Sequence, residues 1–289
     1  MLLAVPNISE GRDHEVLEEI ERAFAPARFL DLHADPDHDR AVFTLAGRQG
    51  ELAESLLAGA RAAVERIDVT AHAGIHPHVG ALDVMPIVHL DDDRRGPACA
   101  EALTAAALIG DELGVPVFLY GDVATRPEHV ERAWIRRGGP LELARRMAAG
   151  ELVPDYGPAR AHPTAGAVLA AARPPLVAFN LDLTTADVDV ARRIAGALRE
   201  SGGGLRGVRA LGLYLEDRGR AQVSTNVHDH QSTPLREVVD FVRERAQVAE
   251  AELVGLAPRA AFEDFPPDVP LRGFDPERHI LEEVLGAVL

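Results

Sequence analysis

The order of apolar and polar positions in the first third of the chain predicts strands that alternate with helices. Four segments have the buried or alternating pattern of strands, at 2–6, 28–33, 40–47 and 82–90. Two further segments carry apolar residues at helical spacing, at 13–25 and 50–67. The predicted order is therefore strand, helix, strand, strand, helix, strand.

The second half of the chain repeats this order. Strands are predicted at 174–183, 207–215, 220–227 and 251–257, the middle two forming a hairpin around 216–219. Helices are predicted at 186–200 and from Thr233, a capping residue followed by proline, to about 249. The repeated order is that of the ferredoxin-like arrangement. We therefore expect an α+β fold, an α/β sandwich of two ferredoxin-like βαββαβ subdomains packed around a cleft.

An extension separates the two halves. It contains a predicted helix at 97–113, a strand at 115–121, helical pieces across 127–149 and a loop rich in proline and glycine at 153–166. The predicted division gives an N-terminal subdomain at 1–173 and a C-terminal subdomain at 174–289. The acidic tail ends in a short predicted helix at 276–288.

Composition narrows the classes of function. The 289 residues are 47% hydrophobic and 26% charged, as in an ordinary globular protein, and Cys99 is the single cysteine, which excludes an internal disulfide or a cysteine metal cluster. No apolar run resembles a signal peptide or approaches the roughly 20 residues of a membrane span, so we expect a cytoplasmic protein with no membrane partner.

Charge makes nucleic acid an unexpected partner. The net charge of −16 opposes phosphate binding, and an aromatic content of 4% leaves few side chains for stacking on bases. The sequence has no lysine, so all its basic side chains are arginine or histidine. The lack of lysine excludes Schiff-base chemistry, pyridoxal phosphate catalysis and a Walker-type phosphate site. An anionic substrate would have to be held by arginine, which pairs with carboxylates in a bidentate way.

The segment at 70–83 is the richest candidate for chemistry. It places three histidines in a predicted loop before a strand, and Pro77 stiffens the chain beside His76. Imidazole exchanges protons near neutral pH, so His76 is a candidate acid or base, although loop histidines are often merely solvated. A metal centre is a competing interpretation, with ligands drawn from His72, His76, His78, His33, His38 and Asp39. No helical spacing or HExxH motif supports that centre.

Two other segments carry polar side chains where a strand or a loop could present them. At 33–40, Asp39 and Arg40 lie at the start of a predicted strand, although such acidic sequences are often simple turns. At 154–166, Arg160 and His162 lie in a loop that could line a ligand or serve as a linker. Asn226 is a weaker candidate at another strand end.

Several motifs together resemble the glutamate formiminotransferase family. They run in order over residues 1 to about 260, at 5–13, 35–47, 72–88, 115–124, 154–166, 175–183 and 221–226. The resemblance implies a dimeric two-subdomain α/β sandwich that transfers a formimidoyl group between tetrahydrofolate and L-glutamate, as in histidine degradation, with no metal. It implies a stand-alone enzyme, since a cyclodeaminase domain is not included in the 289 residues.

The resemblance also implies roles for particular residues. The histidine that the family uses as acid or base corresponds to His76, for which a pKa near 7 would suit proton transfer. The family's folate-lining loop corresponds to Gly157, Pro158, Ala159, Arg160, Ala161, His162, Pro163, Thr164, Ala165 and Gly166. We expect Arg40 and Arg160 to meet substrate carboxylates and Asp39 to assist the amine or amidinium.

The chain departs from the family pattern on both sides of its histidine. Ile75 and His78 stand where many members have glutamate and arginine. These differences leave open a folate-binding homologue without catalysis and a metal-dependent hydrolase that uses the histidine cluster.

Overall fold

The computed structural model describes residues 1–72 and 74–287, which form two compact units divided between residues 174 and 175. No helix within these described ranges is long and apolar enough to cross a membrane. Each unit is built on one sheet, so the predicted α+β class is confirmed.

The N-terminal unit contains a seven-stranded sheet. Its strands are β1 (Leu2–Ala4), β2 (Asn7–Ile8), β3 (Arg28–Asp35), β4 (Arg40–Gly47), β5 (Leu82–Val88), β6 (Val117–Gly121) and β7 (Val168–Arg173). Its helices are α1 (His14–Ala23), α2 (Leu52–Arg66), α3 (Arg95–Leu113), α4 (Arg132–Arg136) and α5 (Gly139–Ala148). The strand order is β1-β4-β2-β5-β7-β6, with β3 paired to β4.

In the ferredoxin-like part of this unit, helices pack their apolar sides against one face of the sheet. Asp13 caps α1 by accepting the backbone N–H groups of Glu15 and Val16. Helices α1, α2 and α3 bury their apolar sides in one core with alternate residues of the sheet, among them Phe43 of β4 and Met85 of β5. This packing covers one face of the sheet.

The extension adds two strands and covers part of the opposite face. Strands β5, β7 and β6 run parallel, and α4 and α5 contribute Ile135, Leu143 and Met147 to a second core over them. Arg146 fixes the end of α4, because its Nη1 donates to the Trp134 and Ile135 carbonyls at 3.1 and 3.0 Å.

The prediction missed β7. The segment is rich in alanine, which has weak strand propensity, and burial between two parallel strands favours the extended form over local preference. The strand predicted at 174–183 consequently begins later, at Val177.

The C-terminal unit is a four-stranded antiparallel sheet with the ferredoxin-like strand order. Its strands are β8 (Val177–Leu183), β9 (Val208–Leu215), β10 (Arg220–Val227) and β11 (Val248–Val254), with the order β11-β8-β10-β9. Its helices are α6 (Val188–Leu198), α7 (Leu235–Arg243), α8 (Pro276–His279) and α9 (Leu281–Gly286). Helices α6 and α7 pack on the sheet through one core.

Two predicted boundaries in this unit were wrong. The helix predicted to reach 249 ends at Arg243, because Val248 already pairs with Leu183 as the first residue of β11. The terminal helix predicted at 276–288 is broken between α8 and α9, and residue 288 lies outside the described residues.

Candidate active site

A neutral histidine beside a half-buried arginine forms the centre of the candidate site. Arg40, the first residue of β4, brings its Nη1 within 2.7 Å of His76 Nε2. A guanidinium can only donate, so His76 Nε2 accepts this hydrogen bond and the ring proton lies on Nδ1. Burial, and then the charges of Arg40 and Arg136, lower the pKa of His76 well below its ordinary value.

His76 is therefore an unprotonated base at neutral pH in the absence of substrate. This environment does not provide the pKa near 7 that suits proton transfer, because burial and then the neighbouring cations disfavour the charged imidazolium. A bound anion would reverse part of this effect, since negative charge favours imidazolium.

The loop that carries His76 is tied to the turn between β3 and β4. His72 Nδ1 accepts the Gly74 N–H at 3.1 Å, so His72 Nε2 carries the proton and donates to the Asp39 carbonyl at 2.8 Å. Asp39 adopts a left-handed backbone, and its carboxylate accepts the Gly11 N–H at 3.1 Å. These hydrogen bonds hold Arg40 beside His76, and Asp39 contributes to this by fixing the turn to the histidine loop.

The same bonds weigh against the metal centre. Both His72 ring nitrogens are already engaged with backbone groups, so His72 offers no lone pair to a cation. His78 lies with its ring centroid 4.0 Å from that of His72, and its Nδ1 is 3.3 Å from the His76 carbonyl. Burial, and then His72, lower the pKa of His78.

Further arginines surround this pair. Arg136 of α4 forms a buried ion pair with Asp83 of β5, whose Oδ1 accepts the Val79 N–H at 2.8 Å in the histidine loop. Burial lowers the pKa of Arg40 to about 10, against the favourable charge of Asp35. Burial also lowers the pKa of Arg173 to about 10, at the end of β7 beside Tyr120.

Sequence reasoning missed Arg132, Arg136, Arg173 and Tyr120. Arg132 and Arg136 are separated by four residues on a helix and therefore share a face, which was a usable signal in a chain whose only strong cations are arginines. Arg173 gave no comparable signal, because its strand was not predicted.

Among the described residues, the loop at 157–166 hydrogen-bonds to the histidine loop and the residues beside it through its C-terminal end. Thr164 and Ala165 accept the N–H groups of Val69 and Ala81 at 2.8 and 3.0 Å, and Gly166 bridges to Gly80. Gly166 has a φ of +67°, and a Cβ there would strike the Val79 carbonyl, so the close approach requires glycine.

The other members of this loop are placed differently. Gly157 packs against Gly110 of α3, and the Arg160 side chain is exposed. His162 Nδ1 accepts the Ala165 N–H at 3.0 Å, and burial lowers the pKa of His162. Pro158 and Ala161 are half-buried, whereas Ala159 and Pro163 are exposed.

The remaining sequence candidates lie in different places. His38 is buried with its ring centroid 5.8 Å from that of His76, and His33 lies within β3. Asn226 pairs with Ala178 and Arg209 inside the C-terminal sheet. Cys99 is half-buried on α3 and packs against the core, and burial raises the pKa of its thiol.

These features define a class of protein: an α+β chain with ferredoxin-like units in which a neutral loop histidine lies among buried guanidinium groups. Such a centre suits proton transfer on a substrate that carries negative charge. The chain matches the model of the formiminotransferase domain, N-terminal subdomain, over residues 1–173 and that of the formiminotransferase domain over 178–265. It belongs to the formiminotransferase family.

Curated relatives agree with this assignment. The chain is 37% identical to the glutamate formimidoyltransferase of Streptococcus pyogenes, with 97% of each chain covered. It is 36% identical to the glutamate formimidoyltransferase of Thermoplasma acidophilum, with 96% of this chain and 95% of the relative covered. The formimidoyltransferase-cyclodeaminase of Mus musculus is 38% identical over 90% of this chain, which spans 50% of that relative.

Proposed function

We propose that this protein transfers a formimidoyl group between L-glutamate and tetrahydrofolate. Two relatives that it matches over nearly their whole length are named glutamate formimidoyltransferase. The observation that carries the proposal is the contact between His76 Nε2 and Arg40 Nη1. It places a neutral base next to a cation that can bind a carboxylate, which are the two groups that an amino-acid substrate requires.

A single histidine can carry out both proton transfers of the reaction. His76 removes a proton from the attacking nitrogen, and a new C–N bond forms at the amidinium carbon. The tetrahedral intermediate then breaks the C–N bond to the nitrogen of the donor and keeps the bond to the NH2 nitrogen that is transferred with the carbon. His76 returns the same proton to the departing nitrogen, so the histidine is regenerated unchanged. The charge of the amidinium already activates the carbon, so the step needs no metal, and tetrahydrofolate serves as co-substrate.

The surroundings of His76 supply the other requirements. Arg40 is the proposed contact for a substrate carboxylate. The backbone carbonyl of the preceding residue, Asp39, accepts a hydrogen bond from His72 and so holds this strand start beside the histidine loop. The loop at 157–166 is offered as the folate-binding segment, with Arg160 free at its surface to meet an anionic part of the ligand. Cytoplasmic location and a homodimer remain predictions from the sequence.

The decisive experiment is a transfer assay with N-formimidoyl-L-glutamate and tetrahydrofolate, with and without a chelator. We expect formimidoyl transfer that the chelator does not affect. Loss of activity on chelation would instead support the metal-dependent hydrolase, and folate binding without turnover would support the non-catalytic homologue.

The role of His76 is tested by His76→Ala in the same assay. We expect turnover to fall by about 100-fold or more, as for loss of a general acid or base, with little change in folate affinity. The matched control is His14→Ala, which removes an exposed histidine at the start of α1. Turnover of His76→Ala close to that of the control would refute the assignment.

A further inference from the structure

Helix α4 brings two arginines to the candidate site, although it is too short to be stable by itself. It consists of the five residues Arg132–Arg136, and isolated helices shorter than about 12 residues are marginal in water. Ile135 is fully buried in the second core, so packing supplies part of the missing stability. The position of α4 therefore depends on its contacts with neighbouring elements.

One of these contacts comes from a buried arginine of the next helix. Arg146 of α5 is completely buried, and its Nη1 donates to the carbonyls of Trp134 and Ile135 at 3.1 and 3.0 Å. Its Cζ also lies 4.4 Å from the centre of the Trp134 ring, which is a cation–π contact. The last carbonyls of a helix have no partner within the helix, so these two hydrogen bonds fix the C-terminal end of α4.

Among the described residues, Arg146 makes these contacts without an ion-pair partner. Glu142 and Glu151 lie near enough to favour its charge, but their carboxylates bind Arg145 instead. Its Nε and Nη2 are buried with no hydrogen-bond partner in the part of the chain that the structure describes. Replacing a buried charge by an apolar side chain of similar volume is often neutral or stabilising. An arginine at this position is therefore explained by the carbonyls that it binds rather than by a gain in stability.

Two further contacts connect the end of α4 to the histidine loop. Arg136, the last residue of α4, pairs with Asp83 of β5, and the two side chains are 10% and 4% exposed. Asp83 Oδ1 in turn accepts the N–H of Val79 at 2.8 Å, three residues after His76. The turn of α4 that Arg146 binds therefore determines where the Arg136 guanidinium lies, and the guanidinium holds the carboxylate that fixes the loop.

We propose that Arg146 is a positioning residue for the candidate active site. By binding the end of α4 it holds the Arg136–Asp83 pair in place, and through that pair it holds the His76 loop in the geometry that proton transfer requires. A misplacement of about 1 Å at a reacting group can lower a rate about 100-fold, so an indirect contact of this kind affects catalysis. This inference deepens the proposed function and rests on it for the reaction, whereas the geometry of the loop is measurable without turnover.

The first measurement is an NMR titration of the His76 ring without substrate. Arg146→Met keeps an unbranched side chain against Trp134 but removes both hydrogen bonds to α4. The pKa of His76 is lowered by burial and by neighbouring cations, two of which, Arg132 and Arg136, belong to α4. Release of α4 should therefore raise the pKa of His76 towards its ordinary value of 6.5.

Steady-state kinetics in the transfer assay are the second measurement. We expect Arg146→Met to lower kcat about 10- to 100-fold with little change in KM, because the base is displaced while Arg40 remains. Arg146→Lys should recover part of the lost kcat, since an ammonium group can still donate to the two carbonyls. The matched control is Arg145→Met, which changes the preceding residue of α5, whose side chain is 54% exposed. It should resemble the wild type in both measurements.

A double variant tests the route through Arg136. Arg146→Met should change kcat and the pKa of His76 far less in the Arg136→Gln background than in the wild type, because the pair through which Arg146 acts is already broken. Strict additivity of the two changes would refute this route.

An unchanged pKa of His76 in Arg146→Met would overturn the positioning role, whether or not kcat falls. If Arg146→Met fails to fold, Arg146→Gln, which keeps a polar amide at this position, replaces it with the same expected changes. Failure of the proposed function is distinguishable, because a chain without transfer activity would still show the change in the pKa of His76.

Discussion

The ion pair between Asp83 and Arg136 should be one of the strongest single supports of the N-terminal unit. The two side chains are 4% and 10% exposed, and they join β5 to α4. Asp83→Asn preserves shape and can still accept the Val79 N–H through Oδ1, but it leaves the Arg136 charge buried without a counter-ion. Breaking a buried pair from one side costs about 3–5 kcal/mol.

The corresponding change in melting temperature is large. In a unit of 174 residues each kcal/mol shifts the midpoint by about 2–4 °C, so Asp83→Asn should lower it by roughly 6–20 °C. The control is Asp122→Asn, which breaks the pair with Arg95 at 2.8 Å, where the side chains are 28% and 58% exposed. Surface pairs contribute about 0–1 kcal/mol, so this variant should be nearly neutral.

Chemical denaturation followed by circular dichroism measures both variants, together with Arg136→Gln and the double variant Asp83→Asn/Arg136→Gln. The double variant buries no charge, so it should be more stable than the sum of the single losses predicts, by about 0.5–3 kcal/mol. A loss below about 1 kcal/mol in Asp83→Asn, or strict additivity in the double variant, would refute the assignment of a buried, mutually dependent pair.

Three further outcomes are expected. Burial lowers the pKa of His76, His78 and His162 in the folded chain, so the unfolded chain binds more protons below the ordinary pKa of 6.5. The free energy of unfolding should therefore fall as the pH drops below 6.5, and urea midpoints measured between pH 8 and pH 5 would show this. Arg40→Gln should raise the pKa of His76, because it removes the nearest cation, and an NMR titration of the His76 ring would detect the shift; an unchanged pKa would contradict it. Gly80→Ala should lower the free energy of unfolding by at least about 2 kcal/mol, because the new Cβ would collide with the Ala167 carbonyl. The control Gly96→Ala has open space around it in α3 and should be neutral or stabilising in the same denaturation assay.

Much of the fold could be predicted because local patterns and packing agree. Helices α1 and α6 bury one side against a sheet, and their periodicity shows this in the sequence. The four-stranded sheet followed from element order alone. Strand β7 could not be found in this way. Its alanines have little intrinsic preference for a strand and are extended because they pair with β5 and β6.

The site was only partly predictable because its contacts are distant in sequence. The histidine loop was found from its own composition, and Arg40 from its place at a strand start. Their direct contact spans 36 positions and the Asp83–Arg136 pair spans 53, so neither could be read from spacing. Arg160 lies exposed on a loop, whereas the side chain of Arg136 is only 10% exposed, and the sequence does not show which of the two is covered.

In the function proposed above, the contact between Arg40 and His76 would link proton transfer to substrate binding. While Arg40 donates to Nε2, the lone pair that would accept a proton is occupied. A carboxylate that draws the guanidinium towards itself would free Nε2 and, through its negative charge, raise the low pKa of His76, so that the imidazole accepts a proton more readily. If His76 and Arg40 have the proposed roles, the base is inactive without its anion, because the group that binds the anion also blocks the base.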